Sequence, residues 1–374
     1  MKTRWLNLGL IVIATAAPLL GADVLLRVLK LPKGSERVLL LSGSDLRSGP
    51  EGYRRYKPNR RIEHAAVYGN QLAYRFHFTS NNLGLASHGD VAPRQRIQLA
   101  IVGDSFAEGQ GGYSWIGDWQ RRWLLPKGIH SLNLAVGGSG FGDFAVAAKA
   151  SKLNHGARKL LVLFIEHDAY RPYQPMGSNP WCSFYSNGQQ LDRWLGPLTC
   201  KLYGVVWHHV PRQLSDQQLI QAGLARQNHG LLPAFNQLLQ RIARQRPEAT
   251  GSTLKQPSRT LRYGALPATS VQAMREIENL YGTDNVLLVA LPDQANANTN
   301  ANEQQHPLPS GMHDFSQALQ AATGLNIVSL DKQCKLDTAD FHSIDNHPNT
   351  NGYSKLLKCL IGNPDIQSFA SKSL

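Results

Sequence analysis

No Cys-x-x-Cys pair occurs in this 374-residue chain; its four cysteines, Cys182, Cys200, Cys334 and Cys359, stand far apart. That spacing excludes zinc-ribbon and thioredoxin-like sites. There is no block of five or more like charges, no basic helix with interleaved aromatics and no zinc-finger spacing, so no nucleic-acid partner is expected. The glycine cluster "GGSGFG" at 137–142 lacks the acidic residue that a dinucleotide site needs after the next strand, and no cofactor is expected. His208 and His209 are adjacent, face different ways, and read as loop or core residues; no metal site is expected. Internal repeats are absent.

What is present fits a globular protein. Hydrophobic residues make up 42% and charged residues 17%, unlike a disordered chain. The length suits one large α/β domain or two small ones. Lys and Arg outnumber Asp and Glu by 39 to 26, a formal net charge of +13. The basic residues are scattered, which reads as a generally basic soluble face or as a surface that attracts an acidic glycan.

The first 35 residues form a segment of their own. Lys2 and Arg4 precede a run from Leu8 to Leu26 in which only Thr15 and Asp23 are notably polar. A helix rising ~1.5 Å per residue needs about 20 apolar residues to span a bilayer core, and this run just suffices. Pro18 kinks such a helix without forbidding it, and Asp23 lies near its far end. A membrane helix is expected; a cleaved signal peptide and a buried helix are the rivals. Either of the first two readings exports residues 36–374 to the periplasm or the cell exterior. The even cysteine count permits disulfides there, with Cys182–Cys200 and Cys334–Cys359 as the local pairing; four buried thiols is the alternative.

Residues 36–95 read as two or three short strands or turns. Then a rhythm sets in. Short apolar runs ("RIQLAIVG", "HSLNLAVGG", "ARKLLVLFIEH", "NVLLVALPD", "LNIVSLD") alternate with helix-like stretches at 142–153, 269–281, 313–323 and 351–361. Thr269 is a fair N-cap. Alternation of this kind predicts an α/β fold with a doubly wound, five-stranded, mostly parallel sheet covered by helices on both faces. Residues 173–265 interrupt the rhythm as an insertion with one helix near 230–245, and 294–306 is an Asn-rich loop.

The polar outliers fall after strands. Ser105 follows the first run, Gly138 the second, "EHDAY" the third and "DNHPN" the fifth. Reactive groups in such sheets gather at the carboxyl ends of strands. A serine hydroxyl needs a base within hydrogen-bond reach and the base needs an orienting partner. His347 is the candidate base and Asp345 its partner, with Asp340 a weaker candidate for the acid. An oxyanion formed on an ester needs donors, for which the N–H groups of Ser105 and Gly138 and a side chain near 167 are candidates. Gly103 and Gly109 allow a tight turn around the serine, and Asp104 reads as a loop-holding acceptor rather than the base.

Together these blocks resemble the SGNH (GDSL-type) hydrolases, in their membrane-anchored or exported bacterial form. "IVGDSFAEG" (101–109) resembles the first block, "NLAVGGSGFGD" (133–143) the second, "LFIEHDAY" (163–170) the third and "DNHPNTNGY" (345–353) the last, with "TSNNLGLAS" (79–87) as a lead-in. The resemblance covers residues 79–361, leaving 173–265 unmatched. It implies a flavodoxin-like SGNH fold, catalytic Ser105, His347 and Asp345, and an oxyanion hole of Ser105, Gly138 and His167. His167 stands where the family carries an Asn, and Asp345 lies two residues before the base rather than three. The implied activity is a serine esterase or acyltransferase on O-acyl, chiefly O-acetyl, groups of a cell-envelope or exopolysaccharide glycan. A membrane acyl donor is a possible partner. The alternative is a catalytically inactive envelope protein that binds glycan or a partner protein.

Overall fold

A computed structural model describes residues 18–25, 37–44, 47–48, 52–171, 207–211, 214–226, 266–293, 312–330 and 333–372. The chain divides into two compact units: a smaller one of Met1–Val38, Ala66–Leu72 and Leu214–Lys255, and a larger one of Leu39–Ala65, Ala73–Gln213 and Gln256–Leu374.

The region before the regular rhythm is richer in strand than expected. It holds β1 (Arg37–Ser42), the short antiparallel pair β2 (Arg47–Ser48) and β3 (Arg54–Arg55), and the long β4 (Arg61–Tyr68) and β5 (Gln71–Thr79). The reason is visible in β5, where buried Tyr74, Phe76 and Phe78 alternate with exposed Arg75, His77 and Thr79. That period of two is the signature of a strand with one face covered.

The main sheet lies in the larger unit. Its strands are β6 (Leu99–Gly103), β7 (Ser131–Asn133) and β8 (Lys159–Phe164), and, after β9 (Trp207–His209) has paired in parallel with β1, β10 (Val286–Ala290) and β11 (Asn326–Ser329). The order is β11-β10-β8-β6-β7, and every neighbouring pair is parallel. Counted along the chain this is the doubly wound order 2-1-3-4-5. The expected α/β architecture with a five-stranded parallel sheet is present. His208 and His209 sit in β9 opposite Leu40 and Leu41 rather than in a loop or the core, one half-buried and the other exposed.

All residues of β6, β8 and β10 are buried, which explains their unbroken apolar runs. Successive side chains go to opposite faces. Ala100, Val102, Leu160, Val162 and Leu288 share one core with Phe144, Met274 and Phe315; Leu99, Ile101, Leu161, Leu163 and Val289 share the other with Trp115, Tyr353 and Leu356. The expected helices appear as Phe141–His155, Ala268–Tyr281, Met312–Thr323 and Thr350–Gly362. Pro267, not Thr269, is the N-cap of the second. Its carbonyl accepts from Ser270 and Val271 N–H at 3.0 and 3.1 Å; a proline there has no N–H to leave unpaired and presets the entry into the helix. Cys334 and Cys359 form a disulfide, as the local pairing predicts, whereas Cys182 and Cys200 lie outside the described residues.

In the smaller unit, helix Asp216–Leu224 begins with a capping box between Ser215 and Gln218. A Cβ on its Gly223 would lie 2.6 Å from Val67 Cγ1, so glycine lets this helix meet the end of β4. Residues 18–25 are helical with Leu19, Leu20, Val24 and Leu25 exposed. The remainder of the expected 1–35 membrane segment lies outside the described residues, among which no helix is long and apolar enough to cross a membrane. The 230–245 helix and the 294–306 loop also lie outside them.

Candidate active site

The sheet reverses its winding between β6 and β8, the switch point at which doubly wound sheets place their sites. Ser105 follows β6 there, at its carboxyl end. Asp104 caps helix Ser105–Glu108, its Oδ1 accepting the Phe106 N–H at 2.8 Å, and Gly109 ends the helix at φ +90°. Both flanking glycines are required by close packing. A Cβ on Gly103 would meet Ala107 Cβ at 2.5 Å and Leu163 O at 2.7 Å; one on Gly109 would meet Tyr113 O at 2.0 Å. The expected tight turn around the serine is therefore a real steric constraint.

The histidine arrives on a small hairpin of β12 (Phe341–His342) and β13 (Asp345–Pro348), whose register sets His342 opposite Asp345. His347 Nε2 lies 2.8 Å from Ser105 Oγ, a contact between residues 242 apart in the chain. On the ring's other side Nδ1 hydrogen-bonds Asp345 Oδ1, which also accepts the His347 backbone N–H at 2.9 Å. A carboxylate at Nδ1 holds the proton there and leaves the Nε2 lone pair facing the hydroxyl. Phe106 and Tyr74 flank the ring, with centroids at 5.2 and 5.7 Å. Asp340 is drawn elsewhere: its carboxylate accepts from Lys355 Nζ at 2.6 Å.

Asp104 does more than hold the loop. Its Oδ2 lies 3.1 Å from Ser105 Oγ and 3.1 Å from Arg171 Nη1. The same guanidinium pairs with Asp168 Oδ1 at 2.9 Å and donates to Ser139 O at 2.9 Å. Both carboxyl groups are fully buried. Burial, reinforced by the charge of Asp104, pushes the Asp168 carboxyl well above the usual range, with Arg171 opposing.

The oxyanion candidates differ in what can be seen of them. Ser105 is the first residue of its helix, so its N–H has no intrahelical acceptor. Gly138 takes φ +78°, a conformation that demands glycine. Next to it, a Cβ on Gly137 would lie 3.7 Å from Ser105 Cβ, so the glycine turn passes against the serine. His167 sits in the 3-10 turn Glu166–Tyr170 after β8, the turn that also carries Asp168. It is not a partner of the Ser105 hydroxyl, which contacts His347 and Asp104. Burial, then the charge of Arg171, hold the His167 pKa near 2, so its ring is neutral and carries one N–H.

Sequence reasoning passed over a second layer beneath the serine. Glu108, one turn along its helix, accepts from Tyr56 Oη at 2.6 Å and from Gly137 N–H at 3.2 Å. Burial raises its pKa to about 8 against those two hydrogen bonds. Tyr56 Oη is also 3.2 Å from His64 Nε2, and burial holds that histidine near pKa 3. Gln110 donates through Nε2 to Tyr74 Oη. The only advance signal was polar residues inside apolar surroundings, such as Glu108 in "SFAEG".

No family model matches the chain, and no curated protein matches it. Several solved structures do. A lipase/acylhydrolase from Enterococcus faecalis is 11% identical, covering 74% of this chain and 97% of its own at a TM-score of 0.34. The family 3 carbohydrate esterase of Clostridium thermocellum is 13% identical over 75% and 100%, with a TM-score of 0.36. A catalytic mutant of the acetylxylan esterase Axe2 from Geobacillus stearothermophilus is 10% identical over 72% and 95%, with a TM-score of 0.34. At such scores no chemistry is carried across to this chain.

Proposed function

We propose that this protein is a serine esterase or acyltransferase of the SGNH hydrolase type, working through Ser105, His347 and Asp345. The observation that carries the reading is the continuous hydrogen-bonded chain from the Ser105 hydroxyl through His347 to Asp345. Ser105 Oγ attacks the ester carbonyl while His347 Nε2 takes its proton, and Asp345 stabilises the resulting imidazolium. The N–H groups of Ser105 and Gly138, with the neutral His167 ring as third donor, receive the oxyanion. Collapse breaks the acyl C–O bond, and His347 returns the proton to the leaving alcohol. Water or a sugar hydroxyl then attacks the acyl-serine, with His347 again as base.

For the substrate we favour O-acyl, chiefly O-acetyl, groups on an envelope or exopolysaccharide glycan. The net charge of +13 and the apolar run at 8–26 support that choice: the first suits an anionic polymer, the second an anchored domain in the periplasm or outside the cell. A membrane acyl donor would make the enzyme a transferase. A fluorophosphonate probe tests the core of the proposal. Labelling of the folded protein that disappears in Ser105→Ala supports it; a folded wild type that takes no label sinks it. The second reading, an inactive binder of glycan or a partner protein, draws on His167 standing where an amide is the familiar donor, and it expects no labelling.

A further inference from the structure

Gly138 presents its N–H from a turn of two successive glycines, which left alone would be among the most mobile backbone in the chain. An oxyanion donor contributes fully only if it is fixed before the charge develops. What fixes this turn comes from far upstream. Arg54 Nη2 donates to Ser139 Oγ at 3.0 Å and pairs with Asp143 Oδ2 at 3.1 Å. That oxygen in turn accepts the Gly140 N–H at 3.0 Å. On the other side, Tyr56 Oη donates to Glu108, and Glu108 accepts the Gly137 N–H. Gly138 thus lies between two residues that are each tied, directly or through one carboxylate, to the three-residue segment 54–56. Tyr56 and Glu108 are buried, and the Arg54 side chain is 10% exposed.

We propose that Arg54 and Tyr56 are positioning residues of the active site: they hold the Gly137–Ser139 turn from both sides and so fix the Gly138 N–H against Ser105. The segment 54–56 lies outside all four sequence blocks, yet it belongs to the catalytic apparatus. The inference rests on the serine-esterase reading above. Arg171 on the Ser139 carbonyl adds a third tie, but it also touches Asp104 and so does not separate the two roles.

The test uses Arg54→Gln and Tyr56→Phe in the full chain. The second removes one hydroxyl and keeps the ring that packs on Phe78 at 5.3 Å. Turnover of p-nitrophenyl acetate is measured alongside the affinity of phenylboronic acid. The boronate's tetrahedral adduct on Ser105 puts an oxygen where the oxyanion would sit. In folded variants kcat should fall roughly 10–100-fold with KM nearly unchanged, the loss expected on weakening a preorganised donor. Boronate affinity should fall by the same factor, and Arg54→Lys should recover part of it. The double variant should lose less than the product of the singles, because both act on one turn. Variants that keep both kcat and boronate affinity within twofold of an active wild type overturn the clamp and leave the esterase reading intact. A wild type that neither hydrolyses ester nor binds boronate overturns both. If Arg54→Gln does not fold, Tyr56→Phe decides alone.

Discussion

Asp104 Oδ2 stands 3.1 Å from the Ser105 hydroxyl, so the hydroxyl has two acceptors within reach, this carboxylate and His347 Nε2 at 2.8 Å. It has one proton to give. On the proposed esterase mechanism only the contact to His347 activates it, and a bare carboxylate would be the stronger competitor. Arg171 weakens that competitor by pairing with the same Oδ2 and drawing on its charge. Removing the guanidinium leaves Asp104 and Asp168 buried without their shared cation, a change typically worth about 3–5 kcal/mol. Arg171→Ala should therefore lower the melting temperature by several degrees. It should also slow fluorophosphonate labelling at pH 7 by more than tenfold, whereas Arg171→Lys should lose less of both. Unchanged labelling in a folded Arg171→Ala protein would refute this role.

Asp345 fixes the ring that faces the Ser105 hydroxyl. Its Oδ1 takes both the Nδ1 proton and the backbone N–H of His347, so Asp345→Asn keeps the size of the side chain and loses the charge that stabilises the imidazolium. By analogy with other triads, kcat on p-nitrophenyl acetate should drop about 10³–10⁴-fold while KM stays put. Asp340→Asn, whose carboxylate serves Lys355, should stay within a few-fold of wild type. The reverse ranking would reassign the acid.

Where one-dimensional pattern decides structure, the sequence was readable. The runs at Leu99–Gly103, Lys159–Phe164 and Val286–Ala290 are buried on both faces and, Lys159 at the start of the second aside, hold no charged or hydrogen-bonding side chain to break the apolar pattern. Ser105, His347 and Asp345, which the structure brings together, stand out in the sequence because each belongs to a short local pattern. Arg54, Tyr56, Glu108 and Arg171 were not. Their roles lie in contacts across 85 residues for Arg54–Ser139 and 52 for Tyr56–Glu108, and nothing in a lone Arg-Arg-Tyr announces which turn it will grip. Thr269 misled for the opposite reason: it is a good cap in isolation, but Pro267 already terminates the chain's entry into the helix.

The disulfide joins Cys359, in helix Thr350–Gly362 just after the His347 hairpin, to Cys334 in the loop following β11. It closes a loop of 25 residues that includes Asp345 and His347. In the chain-entropy model a loop of that length is worth about 3.5 kcal/mol. Replacing both cysteines by serine should cut the urea unfolding free energy by roughly that amount and leave kcat below the transition nearly unchanged. Loss of activity without loss of stability would mean that the bridge aligns the histidine hairpin instead.

Two histidines, His64 buried and His167 half-buried, cost the protein stability in acid. Burial holds His64 near pKa 3 and His167 near 2, while both relax to about 6.5 in the unfolded chain. Below about 6.5 the unfolded state binds protons that the native state refuses, so stability from these groups is fully present above that pH and is lost as pH falls toward 3. Glu108 runs the other way. Its pKa is raised to about 8 from 4.5, so its contribution is complete below 4.5 and is lost as pH rises to 8. The two trends oppose each other between 4.5 and 6.5, which makes single-variant differences the cleaner measurement. The gap in unfolding free energy between wild type and His64→Gln should change by about 1.4 kcal/mol per pH unit between pH 6 and 4, in the direction that favours the variant in acid. For Glu108→Gln the gap should shift in the variant's favour as pH rises from 5 to 8. Urea titrations at four pH values decide both. A His64→Gln gap that stays flat from pH 6 to 4 would mean that this imidazole takes up a proton inside the folded protein and is not held neutral by its burial.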